Sequence, residues 1–371
     1  MIASARFYSL LMFFKRIFFQ LHLLLGLTSG AVVFVVSTTG AIYAFEEEFR
    51  AILYQDVLFV KQEGNRKPIA ELIKSAKAEF PKPGVKNIRI QSNPESSVEI
   101  ILKNKQSVLV NPYTGKVLGS FNKENDFFGI VLQLHRSLCL GDTGKIITGT
   151  SATIFIFMLM SGIILWWPQN KALLKQKLTI KRNAPSKKRT YDLHSVFGFY
   201  ASWIIIFTAL TGIVWSFKWA ENTMYWINHS KKEERKYHSE YIADSNRISI
   251  DQVLENSTSL YKQSNECFIN VPEDSIGVYR ITFRYDDGGF YKKSDQLFFD
   301  QYSGELLKAH LFETSSQGDK LKGTNYAIHT GKVFGLTGQF IVFFAALISA
   351  SLPVTGFLMW KGKRKKKKIK L

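Results

Sequence analysis

Four stretches of the chain are apolar on every side of a helical projection: roughly Ile17 to Phe45, Ile146 to Trp167, Val196 to Phe217 and Val333 to Trp360. Each holds about 20 or more residues with almost no charge. At about 1.5 Å rise per residue, each reaches across a hydrocarbon core of about 30 Å. Helices in globular cores are seldom this long and apolar all round, so the pattern predicts four membrane spans. The first stretch is too long for the apolar part of a signal peptide. It carries Gln20 and His22, and Glu46-Glu47-Glu48 follows it instead of small residues, so it reads as a retained span. Trp166, Trp167, Trp215, Trp219 and Trp360 stand at span ends, as an interfacial aromatic belt requires.

The two long segments between spans, 46–134 and 218–328, carry a different pattern. In the first, a short amphipathic helix is predicted at Ile69 to Phe80. Alternating strands follow at Asn87–Gln91, Val98–Lys103 and Ser107–Asn111. In the second, the helix falls at Ile250 to Tyr261 and the strands at Cys267–Val271, Val278–Arg284 and Gln296–Asp300. Each segment is thus expected to be a small α+β domain of order αβββ.

Charge gives these elements a direction. Lys and Arg number 49 and Asp and Glu 30, a net charge of +19. Segments 1–16, 168–193 and 361–371 together hold 19 of the basic residues and one acid, Asp192, so nearly all the excess lies on one side of the spans. The positive-inside rule makes that side cytoplasmic. Both termini and the middle loop are then inside, and the two long segments outside. The basic tail from Lys361 follows a span directly and reads as an anchor on anionic lipid, not as a nucleic-acid arm. Aromatics at 14% exclude a disordered chain. Two cysteines, Cys139 and Cys267, exclude a disulfide scaffold and a Cys-rich metal cluster.

The halves repeat each other. Leu21-His22 precedes Gly26, Gly30 and Thr39-Gly40. Leu193-His194 precedes Gly198, Ser202 and Thr211-Gly212. Both histidines stand 18 residues before the glycine of the Thr-Gly pair. Leu134-His135 precedes Ser161-Gly162 and Trp166, and Ile328-His329 precedes Thr355-Gly356 and Trp360, with 27 residues from His to Gly in each. The chain therefore reads as two copies of span, outside domain, span, set side by side about a pseudo-twofold axis along the membrane normal.

That axis would pair His22 with His194 near the cytoplasmic ends of spans one and three, and His135 with His329 at the outer side. Two imidazoles at one depth on different helices suit bis-His ligation of a haem iron. His22, Gly26 and Gly30 share one helix face, as do His194, Gly198 and Ser202, and such a face leaves room for a flat macrocycle. The same stripe would equally serve close helix packing. His135 and His329 lie at the outer interface if their segments are helical throughout, either as ligands or as hydrogen-bonding residues. Gly141-Asp142-Thr143-Gly144 and the stretch Gly331 to Gly338 are candidate breaks. His229, His238 and His310 do not repeat and are expected to be solvated. Arg136 is a candidate partner for a haem propionate or an interfacial anchor. Cys139 reads as a small buried residue.

The segments from Leu134-His135-Arg136 to Trp166-Trp167-Pro168 and from Ile328-His329-Thr330 to Trp360 resemble the PepSY-associated transmembrane family. Pro112-Tyr113-Thr114-Gly115 and Gln301-Tyr302-Ser303-Gly304 resemble the turn of a PepSY domain, Gln301 standing where the first copy has Pro112. The resemblance covers nearly the whole chain. It implies a helical membrane protein of four spans, a duplicated pair of hairpins, with two periplasmic α+β PepSY-like domains. The boundaries expected are 1–45 for the cytoplasmic N-terminus and first span, 46–134 for the first periplasmic domain, and 135–168 for the outer-interface segment and second span. The basic cytoplasmic loop is 169–193, the third span 194–217, the second periplasmic domain 218–328, the fourth span 329–360 and the basic tail 361–371.

Family members include iron-regulated inner-membrane proteins and siderophore reductases. The resemblance implies a b-type dihaem protein of the bacterial inner membrane, with His22, His135, His194 and His329 as axial ligands. Its electrons would come from a quinol or a cytosolic reductase and pass to a ferric siderophore in the periplasm. The competing expectation is a non-enzymatic sensor or peptidase inhibitor built on the outside domains. A transporter component fits less well, because the spans offer no intramembrane carboxylate to couple ions.

Overall fold

The computed structural model describes residues 2–168, 170–241, 246–258, 264–286 and 288–368, with side chains described between 12 and 362. The chain divides into two compact units. One comprises Met1–Phe45, Ile130–Thr223 and Asn325–Leu371, the other Glu46–Gly129 and Met224–Thr324.

The first unit is helical. Its four candidate membrane helices run Met12–Tyr43, Gly141–Trp166, Ser186–Ser216 and Lys332–Gly362. Each packs on two neighbours, so the bundle closes in the cyclic order first, second, third, fourth. Large apolar side chains such as Phe34, Phe157, Phe207 and Phe344 point outward, as lipid requires and water would penalise. Val33, Phe155, Leu159, Ala201, Ile205 and Ala345 form an apolar core at mid-height. The small-residue stripes bring helices together. A Cβ on Gly26 would lie 3.0 Å from Met158, on Gly30 3.3 Å from Pro353, and on Gly198 3.5 Å from Leu352. Of the two uses expected for those stripes, the structure shows packing. At these points each glycine admits a side chain of a neighbouring helix.

The glycine-rich breaks are real. The helix Phe127–Ser137 ends in a joint where Leu138 (φ 51°), Cys139 (φ 59°) and Gly141 (φ 57°) are all left-handed, and the second span starts there. The helix Gln317–Thr330 ends at Gly331 (φ 80°), and a short 3₁₀ turn leads to Gly335 (φ 61°) and the fourth span. Neither segment is one continuous helix of the length assumed from sequence. The chain folds back at each joint, and the Thr148 hydroxyl donates to the Arg136 carbonyl (2.8 Å) across the first. Cys139, expected to be buried, is exposed at that joint.

The second unit is built on one antiparallel sheet: β1 (Val85–Gln91), β2 (Val98–Leu102), β3 (Gln106–Val110), β4 (Val117–Asn122), β5 (Glu266–Asn270), β6 (Val278–Tyr285), β7 (Lys293–Asp300) and β8 (Leu306–His310). The order is β4-β3-β2-β1-β5-β6-β7-β8. Two expectations are corrected. Each sequence copy has a fourth strand, so the local order is αββββ. The two copies also do not stand as separate domains, because β1 pairs with β5 and joins them edge to edge. The register sets one row of aliphatic residues across six strands, Val108, Ile100, Ile88, Ile269, Ile281 and Leu297, all fully buried. Period-two alternation puts that row on one face, where the helices Ile69–Glu79 and Ile250–Thr258 cover it with Leu72, Ala76 and Val253. Residues 259–261, the end of the second predicted helix, lie outside the described residues.

The helices are tied to each other. Pro68 precedes the first and offers no side-chain cap, and Asp251 of the second accepts from the N–H groups of Ile69 (2.5 Å) and Ala70 (3.0 Å) instead. The repeated turn has a physical reason too. Asn111 Oδ1 accepts from the N–H of Tyr113 (2.8 Å) and Thr114 (3.1 Å), and Asp300 Oδ1 from Tyr302 (2.8 Å) and Ser303 (2.9 Å). The fifth residue of each turn, Gly115 or Gly304, is left-handed. Burial works against the Asp300 charge, but those backbone donors outweigh it and hold the carboxyl below its usual value.

Cys267 is buried on β5, and burial beside Glu266 pushes its thiol up to about 12. Thiolate is the reactive form. Maleimide at pH 8 is therefore expected to label Cys139 alone in the folded protein and both cysteines once it is denatured. Two labels on the native chain would contradict the packing of β5.

Candidate functional site

Four histidines of the membrane unit meet in two couples. His22 and His194 approach with ring centres 6.4 Å apart and planes at 88°. His135 and His329 approach to 6.0 Å at 70°. All four rings are half-buried. His194 sits in a five-residue π-helical turn, Leu193–Phe197, between the helices Ser186–Asp192 and Gly198–Ser216. Such turns displace a side chain from regular helical phase and recur at functional sites. Each joint described above falls two or three residues after a histidine of the outer couple. The fold-back sets His135 against Val36, Thr39 and Gly40 of the first span. Those contacts lie 14 to 18 residues beyond His22, about 21–27 Å along the helix axis. The apolar core lies between these levels.

Every histidine is seated by a hydroxyl-glycine dipeptide on the other span of its own half. His22 Nδ1 lies 2.9 Å from Ser161 Oγ, His194 Nδ1 2.9 Å from Thr355 Oγ1, and His329 Nδ1 3.0 Å from Thr211 Oγ1. His135 Nδ1 lies 2.9 Å from the Val36 carbonyl, with Thr39 Oγ1 at 3.4 Å. The glycine after each hydroxyl residue makes room for the ring. A Cβ on Gly162 would stand 3.4 Å from His22 Cε1, on Gly356 3.4 Å from His194, on Gly212 3.3 Å from His329, and on Gly40 2.9 Å from His135.

The seats also bear on the tautomer. Ser161 donates its proton to the Met158 carbonyl (3.0 Å), Thr355 to Ser351 (2.9 Å), Thr211 to Phe207 (2.8 Å) and Thr39 to Val35 (2.7 Å). With its proton so placed, each hydroxyl is free to accept from the ring, and the Val36 carbonyl can only accept. His135 therefore donates Nδ1–H to the Val36 carbonyl and keeps the lone pair on Nε2, and the same tautomer suits the other three seats. No described hydrogen bond uses any of the four Nε2 atoms.

An imidazole with Nδ1–H fixed on a protein acceptor and Nε2 open is the form that binds a metal. A first-row metal bonds imidazole nitrogen at about 2.0–2.1 Å, and a ring centre lies about 1.1 Å behind that atom. One metal between two opposed rings thus sets their centres about 6.3 Å apart. The spacings of 6.4 and 6.0 Å match. No group of three or more His, Cys, Asp or Glu side chains suited to a metal occurs among the described residues. A pair of imidazoles would suit a metal whose other positions a further ligand, such as a macrocycle, fills.

Of the remaining sequence candidates, Arg136 and Cys139 are exposed, as are His229 and His238. His310, expected to be solvated, is buried on β8. Tyr237 donates to its Nε2 (2.7 Å), and Nδ1 faces Glu233 (3.1 Å). Sequence reasoning missed the seats. Their signal was the Ser/Thr-Gly dipeptide recurring four times at fixed distances from histidine.

A bundle of four long apolar helices joined to an α+β unit defines a multi-pass membrane protein with a soluble domain. The chain belongs to the PepSY-associated transmembrane family, whose model, the PepSY-associated TM region, matches residues 19–363. No curated protein matches it.

Proposed function

We propose that the protein is a b-type dihaem electron-transfer protein of the bacterial inner membrane that reduces a ferric siderophore, or another ferric chelate, in the periplasm. The observation that carries this reading is the four-fold seating of Nδ1, which leaves each Nε2 without a described hydrogen bond in couples whose ring centres are 6.4 and 6.0 Å apart. His22 and His194 would hold the inner haem, His135 and His329 the outer one. Haem b in those places would supply one-electron redox chemistry. The chain itself provides axial imidazoles seated through Nδ1, two levels along the bundle, and the apolar core of Val33, Phe155, Leu159, Ala201, Ile205 and Ala345 that keeps water from between them. A quinol or cytosolic reductase is the donor. The product Fe²⁺ carries less charge than Fe³⁺, and hard oxygen ligands hold it less tightly. In this reading the halves are duplicated hairpins, the termini are cytoplasmic and the soluble unit is periplasmic, as the basic segments 1–16, 168–193 and 361–371 support.

Protein expressed with adequate haem and purified in mild detergent is expected to give a reduced-minus-oxidised spectrum with b-type bands. A spectrum lacking them ends this reading. The seats grade a finer test. Gly40→Ala places a methyl inside contact distance of His135 and is expected to deplete the outer haem, because the ring must leave the Val36 carbonyl. Gly162→Ala meets His22 at an ordinary contact distance and is expected to retain both haems. Equal haem content in the two variants would contradict the seating.

A further inference from the structure

Two short amphipathic helices continue the odd-numbered spans at their outer ends. Glu46–Leu53 begins three residues after the first span ends at Tyr43, and Lys218–Ile227 begins two residues after the third ends at Ser216. At no more than about 3.6 Å per residue, neither can start farther than about 11 Å from the end of its span. One face of each is used inside the protein. Arg50 is buried, pairs with Glu46 and with Asp126 (2.5 and 2.9 Å), and lies beside the rings of Tyr54, Phe121 and Phe128. Ala220 and Tyr225 are buried, and the Tyr225 hydroxyl donates to Asp319 (2.8 Å).

The opposite faces are apolar and largely exposed, although Phe49 stacks on Phe128 and Trp219 on Phe217. Phe49, Ile52 and Leu53 fall at i, i+3 and i+4, with Ile52 71% and Leu53 67% exposed. Trp219 and Trp226 fall seven residues apart on one face, and Trp226 is 77% and Ile227 61% exposed. Scattered exposed apolar residues are ordinary, but aligned stripes of this size on two helices are not. A helix with one charged or bonded face and one exposed apolar face, starting close to the end of a span, is the form that lies in a membrane interface. Tryptophan is the residue type enriched there.

We infer that Glu46–Leu53 and Lys218–Ile227 lie in the outer lipid interface, with Phe49, Ile52, Leu53, Trp219, Trp226 and Ile227 immersed at the headgroup–acyl boundary. The occupant of both faces is lipid, because each helix is the covalent continuation of a lipid-facing span. This inference does not depend on haem.

The test uses single-cysteine variants of the full chain in a Cys139→Ser background, since Cys267 is unreactive. Ile52→Cys, Leu53→Cys, Trp226→Cys and Ile227→Cys are spin-labelled and reconstituted into phosphatidylethanolamine–phosphatidylglycerol vesicles. Collision with oxygen is compared with collision with a water-soluble nickel chelate. Lys116→Cys, exposed on the turn between β3 and β4, is the aqueous control, and Phe157→Cys, exposed on the second span, the lipid control. All four sites are expected to group with Phe157→Cys, with nickel access lost and oxygen access kept. Grouping with Lys116→Cys overturns the inference, and so does loss of access to both reagents, which would mean a protein cover. An independent measurement needs no label. Trp219→Phe/Trp226→Phe is expected to reduce the quenching of intrinsic fluorescence by brominated lipid, and unchanged quenching counts against lipid contact.

Discussion

Replacing His22 or His194 by alanine is expected to lower haem content from two per chain to one, and His135→Ala or His329→Ala to do the same at the other level. In the proposed reading each couple supplies both axial nitrogens, so loss of either imidazole would leave a single ligand at that level. The second level is separated by about 21–27 Å of helix and keeps its own pair intact. The surviving spectrum therefore identifies the remaining site, and the inner and outer variants should leave different bands or midpoint potentials. Ser161→Ala and Thr355→Ala keep the ligands and remove the hydroxyls that seat them. Substitutions at such supporting positions weaken metal binding by about 10–100-fold, so these variants are expected to lose haem during purification more readily than the wild type. If the chain were instead a sensor or peptidase inhibitor, all four alanine variants would behave as wild type.

Alanine at Gly144 or Gly331 is expected to destabilise the protein and to strip the outer haem while leaving the inner one. A Cβ on Gly144 would lie 1.7 Å from the carbonyl oxygen of Ser137, and on Gly331 2.2 Å from that of Gly338. Both obstacles are backbone and cannot swing aside. Gly331 also has φ 80°, which costs an L-residue roughly 1–2 kcal/mol beyond the overpacking cost of about 1–3 kcal/mol. These joints hold the segments that carry His135 and His329, so forcing them open moves the ligands. Gly141→Ala is the control. It shares the left-handed φ (57°) but meets nothing within 4 Å, so it should cost only the smaller backbone penalty. Melting followed by size-exclusion fluorescence, with haem content in parallel, gives the ranking. Equal losses at 141 and 144 would refute the tight fold-back.

Much of the site could be read from the chain because its residues repeat. His22 and His194 share an 18-residue spacing to glycine, and His135 and His329 share one of 27. The shared spacing turned isolated histidines into couples. What the spacing could not convey was its purpose. The dipeptides ending at Gly40, Gly162, Gly212 and Gly356 look like packing motifs until the rings are placed against them. The Gly26 and Gly30 stripe was ambiguous in the sequence, since small residues serve packing and cofactor access alike. β4 and β8 were missed because they are edge strands. Leu306 and Leu307 are both exposed and break the alternation on which strand prediction rests. His310 looked solvated because Glu233 and Tyr237, which enclose it, are more than 70 residues away in the chain.

The sequence by itself determined the four spans, the side on which the basic segments gather, and the paired histidine positions. Those depend on local hydropathy, charge and spacing, which hold whatever the neighbours are. Tertiary structure alone decided that both soluble copies share one sheet through β1 and β5, that the chain folds back after His135 and His329, and that each ring is held through Nδ1. These depend on contacts between residues often a hundred or more positions apart, where partner and orientation are set by packing and not by any periodic signal along the chain.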